Sequence, residues 1–250
     1  MGYSDREETI LSILQKTPTV DVKSLTKTLY VSEATLRRDL KKLEEKGLIV
    51  RSHGKIVNTS IYADKNEGFD IRLETASLTK KRIGNAVVKE LVCDGDVVFL
   101  DASTTALCAV DALTKKNDVI VITSGIKTLT HLSKSDIKFY STGGLAINSS
   151  YSFVGQTAID TVKTFNANIA IISCHGLSAS GYATDTSERE NDVRRAMLNQ
   201  SRRKVLLIDS SKINKGYWHN LADISVFDDV YCDQELPKEI MKKVKNFHLV

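Results

Sequence analysis

The sequence predicts an α/β fold in two parts: a small N-terminal winged helix-turn-helix domain and a larger, doubly wound, mostly parallel α/β domain. Three observations carry that reading. Amphipathic helical patterns with tight breaks fill the first part of the chain and end in two short apolar runs around Ser52-His53-Gly54. Beyond residue 78, continuous apolar runs alternate with helical patterns, and strands that are apolar throughout belong to a parallel sheet covered on both faces. The length of 250 residues accommodates a small domain joined to a larger one.

In the first part, residues 6–16 read as a helix with Ile10, Ile13 and Leu14 on one face. Thr17-Pro18-Thr19 breaks it, because proline disfavours helix in the residue before it. A second helix spans 22–29, with Val22, Leu25 and Leu29 at helical spacing. Ser32 is the N-cap of a third helix reaching about residue 46, and Gly47 supplies its stop. Residues 48–51 and 55–57 then read as a β-hairpin wing.

At about 100° per residue, Leu36, Leu40 and Leu43 of the third helix fall within about 60° and form its core face. Arg38, Lys41, Lys42 and Glu45 lie opposite, with Thr35 and Arg37 on the shoulders. Arginine suits bidentate contact to guanine, threonine a base edge or thymine methyl, and lysine a phosphate. Arg37 and Arg38 point about 100° apart, so one of them reads bases and the other clamps backbone. Arg51 and Lys55 of the wing are placed for phosphate contacts. From Ser32 to Val57 there are seven basic against four acidic side chains, in a chain of net charge +4. That local excess fits a phosphate-facing surface.

The run Val31-Ser32-Glu33-Ala34-Thr35-Leu36-Arg37-Arg38-Asp39-Leu40, with Leu43-Glu44, Gly47 and Arg51-Ser52-His53-Gly54, resembles the signature of DeoR-type bacterial repressors. The family usually has a second glycine after His-Gly, where this chain has Lys55. The resemblance implies a repressor whose head grips double-stranded operator DNA as part of a homo-oligomer, a dimer or tetramer. Ser32, Thr35, Arg37, Arg38, Lys41, Lys42, Arg51, His53 and Lys55 are the candidate DNA-binding residues. Residues 1–60 are assigned to this domain, 61–78 to a linker in which Phe69 and Arg72 pack onto one of the domains, and 79–250 to the second domain.

In that second domain, helical patterns at 79–91, 105–113, 125–132, 156–165, 187–200 and 237–245 interleave with strands at 97–100, 119–123, 137–140, 169–173, 205–209 and 230–232. Ligands of such sheets bind beyond the carboxyl ends of the strands. Those ends carry Asp101-Ala102-Ser103-Thr104-Thr105, Thr123-Ser124-Gly125, Gly143-Gly144, Ser173-Cys174-His175-Gly176 and Asp209-Ser210-Ser211-Lys212. Small residues and hydroxyls let an anion approach backbone N–H groups, although each loop by itself also reads as a helix cap. Lys212 offers a phosphate a full charge, and Asp101 an acceptor for a sugar hydroxyl.

From Arg82-Ile83-Gly84 to about Asp233 the domain resembles the effector-sensing half of the same regulators. This implies a phosphorylated sugar or related metabolite bound by Asp101, Ser103, Thr104, Thr105, Thr123, Ser124, Gly125, Gly143, Gly144, Arg194 and Lys212. Arg194 stands where the family usually has lysine, and Arg195 is its neighbour. Ser187-x-x-Glu190 matches a capping box, and His175 reads as a satisfied structural histidine.

The alternative is an enzyme, since the sensor fold resembles that of sugar-phosphate isomerases. The isomerase pattern Asp-Gly-Ala-Asp-Glu is absent, and Asp101 and Asp185 keep that question open. No cofactor, metal or catalytic residue is expected. Cys93, Cys108, Cys174 and Cys232 are far apart and read as thiols of a reducing cytoplasm. The N-terminus lacks signal-peptide features, and no apolar run approaches the roughly 18 residues of a membrane span.

Overall fold

The computed structural model describes residues 3–16, 19–45, 49–52, 55–58, 69–74 and 77–250. The chain divides into two compact units, Met1–Glu67 and Gly68–Val250.

The first unit runs α1 (Tyr3–Lys16), β1 (Thr19–Asp21), α2 (Val22–Leu29), α3 (Glu33–Glu45), β2 (Ile49–Ser52) and β3 (Lys55–Asn58). Its core joins Ile10 and Leu14 of α1, Leu25 and Leu29 of α2, and Leu36, Leu40 and Leu43 of α3 to Ile49 and Ile56. The leucine face expected of the third helix is therefore the buried one. Asp21 caps α2 by accepting from the Ser24 amide at 2.7 Å. Tyr30, in the left-handed region at φ 53°, ends that helix and turns the chain toward α3. The hairpin pairs Ser52 with Lys55, and β1 joins it antiparallel through Val20 and Ile56. Three residues are too few to show a strand's alternation, so β1 leaves no mark in the sequence pattern. Thr17, Pro18, Gly47, His53 and Gly54, which carry the expected breaks and the wing tip, lie outside the described residues.

The second unit opens with α4 (Phe69–Glu74), in the span read as linker, and α5 (Ser77–Leu91). Then come β4 (Val97–Leu100), α6 (Thr104–Leu107), α7 (Val110–Leu113), β5 (Ile120–Thr123), α8 (Ile126–Leu132) and β6 (Lys138–Ser141). A hairpin of β7 (Leu145–Ile147) and β8 (Ser152–Val154) leads to α9 (Gln156–Lys163) and β9 (Ala167–Ser173). The remainder is β10 (Gly176–Leu177), β11 (Tyr182–Asp185), α10 (Glu188–Asn199), β12 (Ser201–Leu207), β13 (His219–Asp223), β14 (Asp229–Cys232), α11 (Lys238–Met241) and β15 (Asn246–Leu249). The single helix expected over 105–113 is thus two short ones. The one expected over 237–245 stops at Met241 and gives way to a strand.

Seven strands form one wholly parallel sheet in the order β15-β14-β12-β9-β4-β5-β6. Side chains of a strand point alternately to its two faces. Phe99, Ala170, Ile172 and Leu206 accordingly join one core, and Val98, Leu100, Ile169, Ile171, Val205 and Leu207 the other. Both faces are covered, as continuous apolar strands require. From β4 the chain steps outward through β5 to β6, then returns to place β9 on the other side of β4. The β4/β9 boundary is therefore the topological switch point, where a crevice opens beyond the carboxyl ends of the strands.

Candidate functional site

On α3, Ser32 acts as the expected N-cap. Its hydroxyl accepts from the Thr35 amide at 3.2 Å and contacts the Thr35 hydroxyl at 2.8 Å. Arg37 is exposed and pairs with Glu33 one turn earlier at 2.8 Å, while Arg38, Lys41 and Lys42 are exposed on the face opposite the leucines. Asp39, which the sequence reading passed over, is buried and takes two bonds from Arg6, at 2.7 and 3.2 Å. That pair fixes α3 on α1 and so orients the basic face. The strands of the wing carry Arg51 and Lys55, whose side chains, like all of His53, lie outside the described residues. Arg38→Ala should weaken binding of a duplex target by about tenfold or relax its sequence preference, since a good bidentate base contact is worth about 1–3 kcal/mol. Fluorescence anisotropy titration checks it, and unchanged affinity and preference would remove Arg38 from the reading face.

At the switch point of the second unit, Asp101 follows β4 and is fully buried. Its Oδ1 accepts from the Ser103 amide and hydroxyl, at 3.2 and 2.6 Å. Its Oδ2 accepts from Arg194 Nε at 2.8 Å and the Ser173 amide at 3.3 Å. Both oxygens are thus engaged by protein donors, and Asp101 holds the loop where a sugar-hydroxyl acceptor was expected. Arg194 differs from expectation in the same way. Its guanidinium is enclosed by Asp101, Asp185 at 2.7 Å, Glu190 at 3.3 Å and the Asn191 side chain at 3.2 Å. Burial opposes its charge, but Asp185, Asp101 and Glu190 outweigh burial and push its pKa up. Likewise, burial raises the Asp185 carboxyl, yet Arg194 and His175 hold it well below the usual carboxylate range.

Glu190 also departs from the capping-box reading. Ser187 accepts from the Glu190 amide at 3.3 Å, but the Glu190 carboxylate turns to Ser150, Ser152 and Arg194. Arg195 ties α10 to β13 by donating to the Asn220 carbonyl at 2.7 Å. Asp101 and Asp185, the carboxylates that kept isomerisation open, are both fully buried against Arg194. Neither is placed to take a proton from a substrate carbon.

Cations gather above this anchor. Lys212 Nζ lies 2.8 Å from the Ser173 hydroxyl and 3.4 Å from the Thr105 hydroxyl. Lys80 is buried and donates to the Arg72 carbonyl. Burial, with the charges of Lys212 and Arg72, pushes the Lys80 ammonium down to about 8, against the pull of Asp209. Burial opposes ionisation of Asp209, yet Lys212, Ser211 and Lys80 hold its carboxyl below its ordinary value. Arg72 donates through Nη1 to His175 Nε2, and its buried Nε has no hydrogen-bond partner. Burial lowers the Arg72 pKa.

Ser103 caps α6, accepting from the Ala106 amide at 3.1 Å, and Thr104 and Thr105 are buried in its first turn. On the next strand, the Thr123 hydroxyl accepts from the Gly125 amide at 3.0 Å, and the Ser124 carbonyl from the Phe153 amide at 2.7 Å. A Cβ at Gly125 would lie 2.7 Å from the Thr128 hydroxyl and 3.1 Å from Ala102 Cα, so only glycine allows that approach. Gly143 and Gly144 follow β6, two strands from β4 and hence about 10 Å along the sheet, where they turn the chain into the β7–β8 hairpin. The structure therefore brings together Ser103, Thr104, Thr105 and Lys212, with Thr123, Ser124 and Gly125 on the adjoining loop, and leaves Gly143 and Gly144 at the rim.

Residues 6–60 match the family model of the DeoR-like helix-turn-helix domain, and residues 75–234 that of the DeoR C terminal sensor domain. The chain belongs to the DeoR family. A Bacillus subtilis relative, the uncharacterized HTH-type transcriptional regulator YulB, is 31% identical over 98% of this chain and 95% of that protein. The HTH-type transcriptional repressor GlcR of the same organism is 31% identical over 96% of this chain and 91% of that one. The glycerol-3-phosphate regulon repressor of Escherichia coli is 26% identical over 100% and 98%. The solved full-length sorbitol operon regulator SorC from Klebsiella pneumoniae aligns at 10% identity over 96% of this chain and 94% of that one, with a TM-score of 0.40. This DeoR-family chain is a transcription regulator, and its family and relatives are regulators and not enzymes. No helix among the described residues is long and apolar enough to cross a membrane.

The sequence reading missed Lys80 and the contact of Arg72 with His175 in this DeoR-family chain. One signal was present: Lys80 stands in phase with Ile83, Gly84 and Val87 on the buried stripe of α5, where a lysine is costly unless it serves a site. Arg72 gave none, because its partner His175 is 103 residues away.

Proposed function

We propose that this regulator represses a carbohydrate-metabolism operon, and that a phosphorylated sugar or related metabolite bound in the second unit controls its affinity for operator DNA. The observation that carries this reading is the convergence of Arg72, Lys80 and Lys212 at the switch point, beside the Thr105 and Ser173 hydroxyls. Lys80 is buried and Arg72 and Lys212 are half-buried, and cations gathered in this way are costly unless an anion joins them. A phosphate dianion supplies that counter-charge. Lys212 serves it as a point charge and Arg72 as a fork with an unused Nε–H. Asp101, Asp185 and Glu190 are spent on Arg194, so they do not repel it directly. The sugar then extends toward the Thr123-Ser124-Gly125 loop.

The head grips the duplex with α3 and the wing as part of a cytoplasmic homo-oligomer, a dimer or tetramer. Arg72 lies on α4, the first described element of the second unit, so an effector that draws on Arg72 acts on the element that follows the segment from the head. Control requires only that the ligand favour one arrangement over another. The relative named for the glycerol-3-phosphate regulon supports the choice of a phosphorylated ligand.

Duplexes selected by the full chain from a random library, titrated with and without a panel of sugar phosphates and their unphosphorylated sugars, test the reading. At least one phosphate should shift DNA affinity by about fivefold or more, the usual span of allosteric coupling. If no phosphorylated compound shifts it, the sensor reading falls.

A further inference from the structure

Resting on the reading that α3 enters the major groove, we propose that Tyr30 is a further DNA contact of the head, its hydroxyl donating to a backbone phosphate at the groove's edge. The residue ends α2 in the left-handed region, at φ 53° and ψ 40°, and its side chain is 95% exposed. Both features work against the fold of the free head. Glycine occupies that backbone conformation without steric cost and is the common residue at such a helix end. An aromatic ring left in water gains nothing from burial. Its neighbours do the packing: Leu29 is buried and Val31 packs against the same core, so the turn throws Tyr30 outward between them.

Position decides what that ring meets. The second helix of a helix-turn-helix lies in the groove with its N-terminal residues toward the bases, while the first crosses the backbone. The turn joining α2 to α3 is therefore where the chain passes from the phosphates into the groove. Tyr30 stands two residues before the N-cap Ser32 and three after Lys27, which is exposed and cationic. The neighbouring hydroxyls are engaged within the head. Thr26 and Thr28 donate to the Val22 and Ser24 carbonyls at 2.6 and 3.0 Å, and Ser32 and Thr35 bond to each other at 2.8 Å. Tyr30 instead carries its O–H into solvent, on a ring with only two torsions to fix on binding. A phenol donates to a phosphate oxygen without bringing charge. Such a contact holds α3 in place over the duplex and reads no base.

Three variants of the full chain, Tyr30→Phe, Tyr30→Gly and Arg38→Ala, test the contact. Each is titrated without effector on a duplex selected from a random library and on an unselected duplex of equal length, by fluorescence anisotropy over a range of salt. Thermal unfolding of each is followed by circular dichroism. Tyr30→Phe keeps ring and backbone and removes only the hydroxyl, so affinity should fall about 3- to 10-fold, the span of one hydrogen bond. The loss should be equal on both duplexes, whose phosphates are alike, and the dependence on salt should keep its slope, because a neutral donor displaces no counterion. Tyr30→Gly should bind as weakly as Tyr30→Phe yet unfold at the same temperature or higher, since it relieves the left-handed backbone. Full affinity in Tyr30→Phe overturns the contact. So does a loss confined to the selected duplex, which would make Tyr30 a base reader. Weaker binding accompanied by a lower unfolding temperature in both Tyr30 variants overturns it too, because a purely structural Tyr30 would lose the two together. If Arg38→Ala also binds both duplexes as the wild type does, the placement of α3 in the groove falls, and the contact with it.

Discussion

Lys212→Met is expected to abolish the response of DNA binding to the effector while leaving operator affinity without effector within about twofold. In the proposed pocket Lys212 is the point charge beside the Ser173 and Thr105 hydroxyls. A charge-assisted hydrogen bond is worth about 1.5–3 kcal/mol, so losing it should weaken a phosphorylated ligand by about 10- to 100-fold. The fold should hold, because the charge of Lys212 opposes that of Lys80, whose ammonium it helps to push down to about 8. Removing Lys212 relieves that repulsion. The same geometry sets a pH limit in the wild type. A bound anion favours the charged form of Lys80, so ligand affinity should fall as pH rises through about 8, where the unliganded Lys80 loses its proton. Anisotropy titrations with the effector at pH 7 and pH 9 read both effects, and a full response in the variant would remove Lys212 from the ligand.

The second large effect belongs to Arg194. Replacing it by methionine leaves Asp101, Asp185 and Glu190 buried together without the cation they share. Breaking a buried ion pair on one side costs about 3–5 kcal/mol. For a unit of this size that is a fall in Tm of roughly 6–20 °C. Lysine should not rescue it, since one ammonium cannot meet carboxylates spread over Nε, Nη1 and Nη2.

The pH dependence has a definite sign. In the wild type Asp185 is held well below the ordinary carboxylate range, chiefly by Arg194 acting against burial. Its stabilisation is fully present above the unfolded value of about 4 and is lost as pH falls through its lower folded value. In the variant Asp185 loses the charge that holds it down, and acid relieves the repulsion among the three carboxyls. The gap in Tm between the two proteins should therefore narrow from pH 7 to pH 5. Calorimetry at both pH values checks it, and a constant gap would show that Arg194 acts through packing alone.

The sequence by itself determined what depends on neighbours within a turn or along a strand. The leucine stripe at Leu36, Leu40 and Leu43 had to be buried, and that forced Arg38, Lys41 and Lys42 outward. Apolar runs such as residues 97–100 and 169–173 demanded cover on both faces and so a parallel sheet. That sheet in turn sets the crevice of the proposed ligand at its carboxyl edge. The three-residue strands β1, β7 and β8 were illegible because they are too short to show a pattern of their own and are strands only through their pairing.

Only the tertiary structure decided which charges in the pocket are spent. Asp101 and Arg194 look alike in sequence to any ligand-binding acid and base. They meet across 93 residues and satisfy each other, a pairing that local chemistry cannot register. Lys212 is legible as a candidate from its place after a strand, but Arg72 and Lys80 join it only when α4, α5 and the loop after β12 bring them together. Burial and the distance between charges set their energies, and both are fixed by chain topology after the individual helices and strands have been chosen.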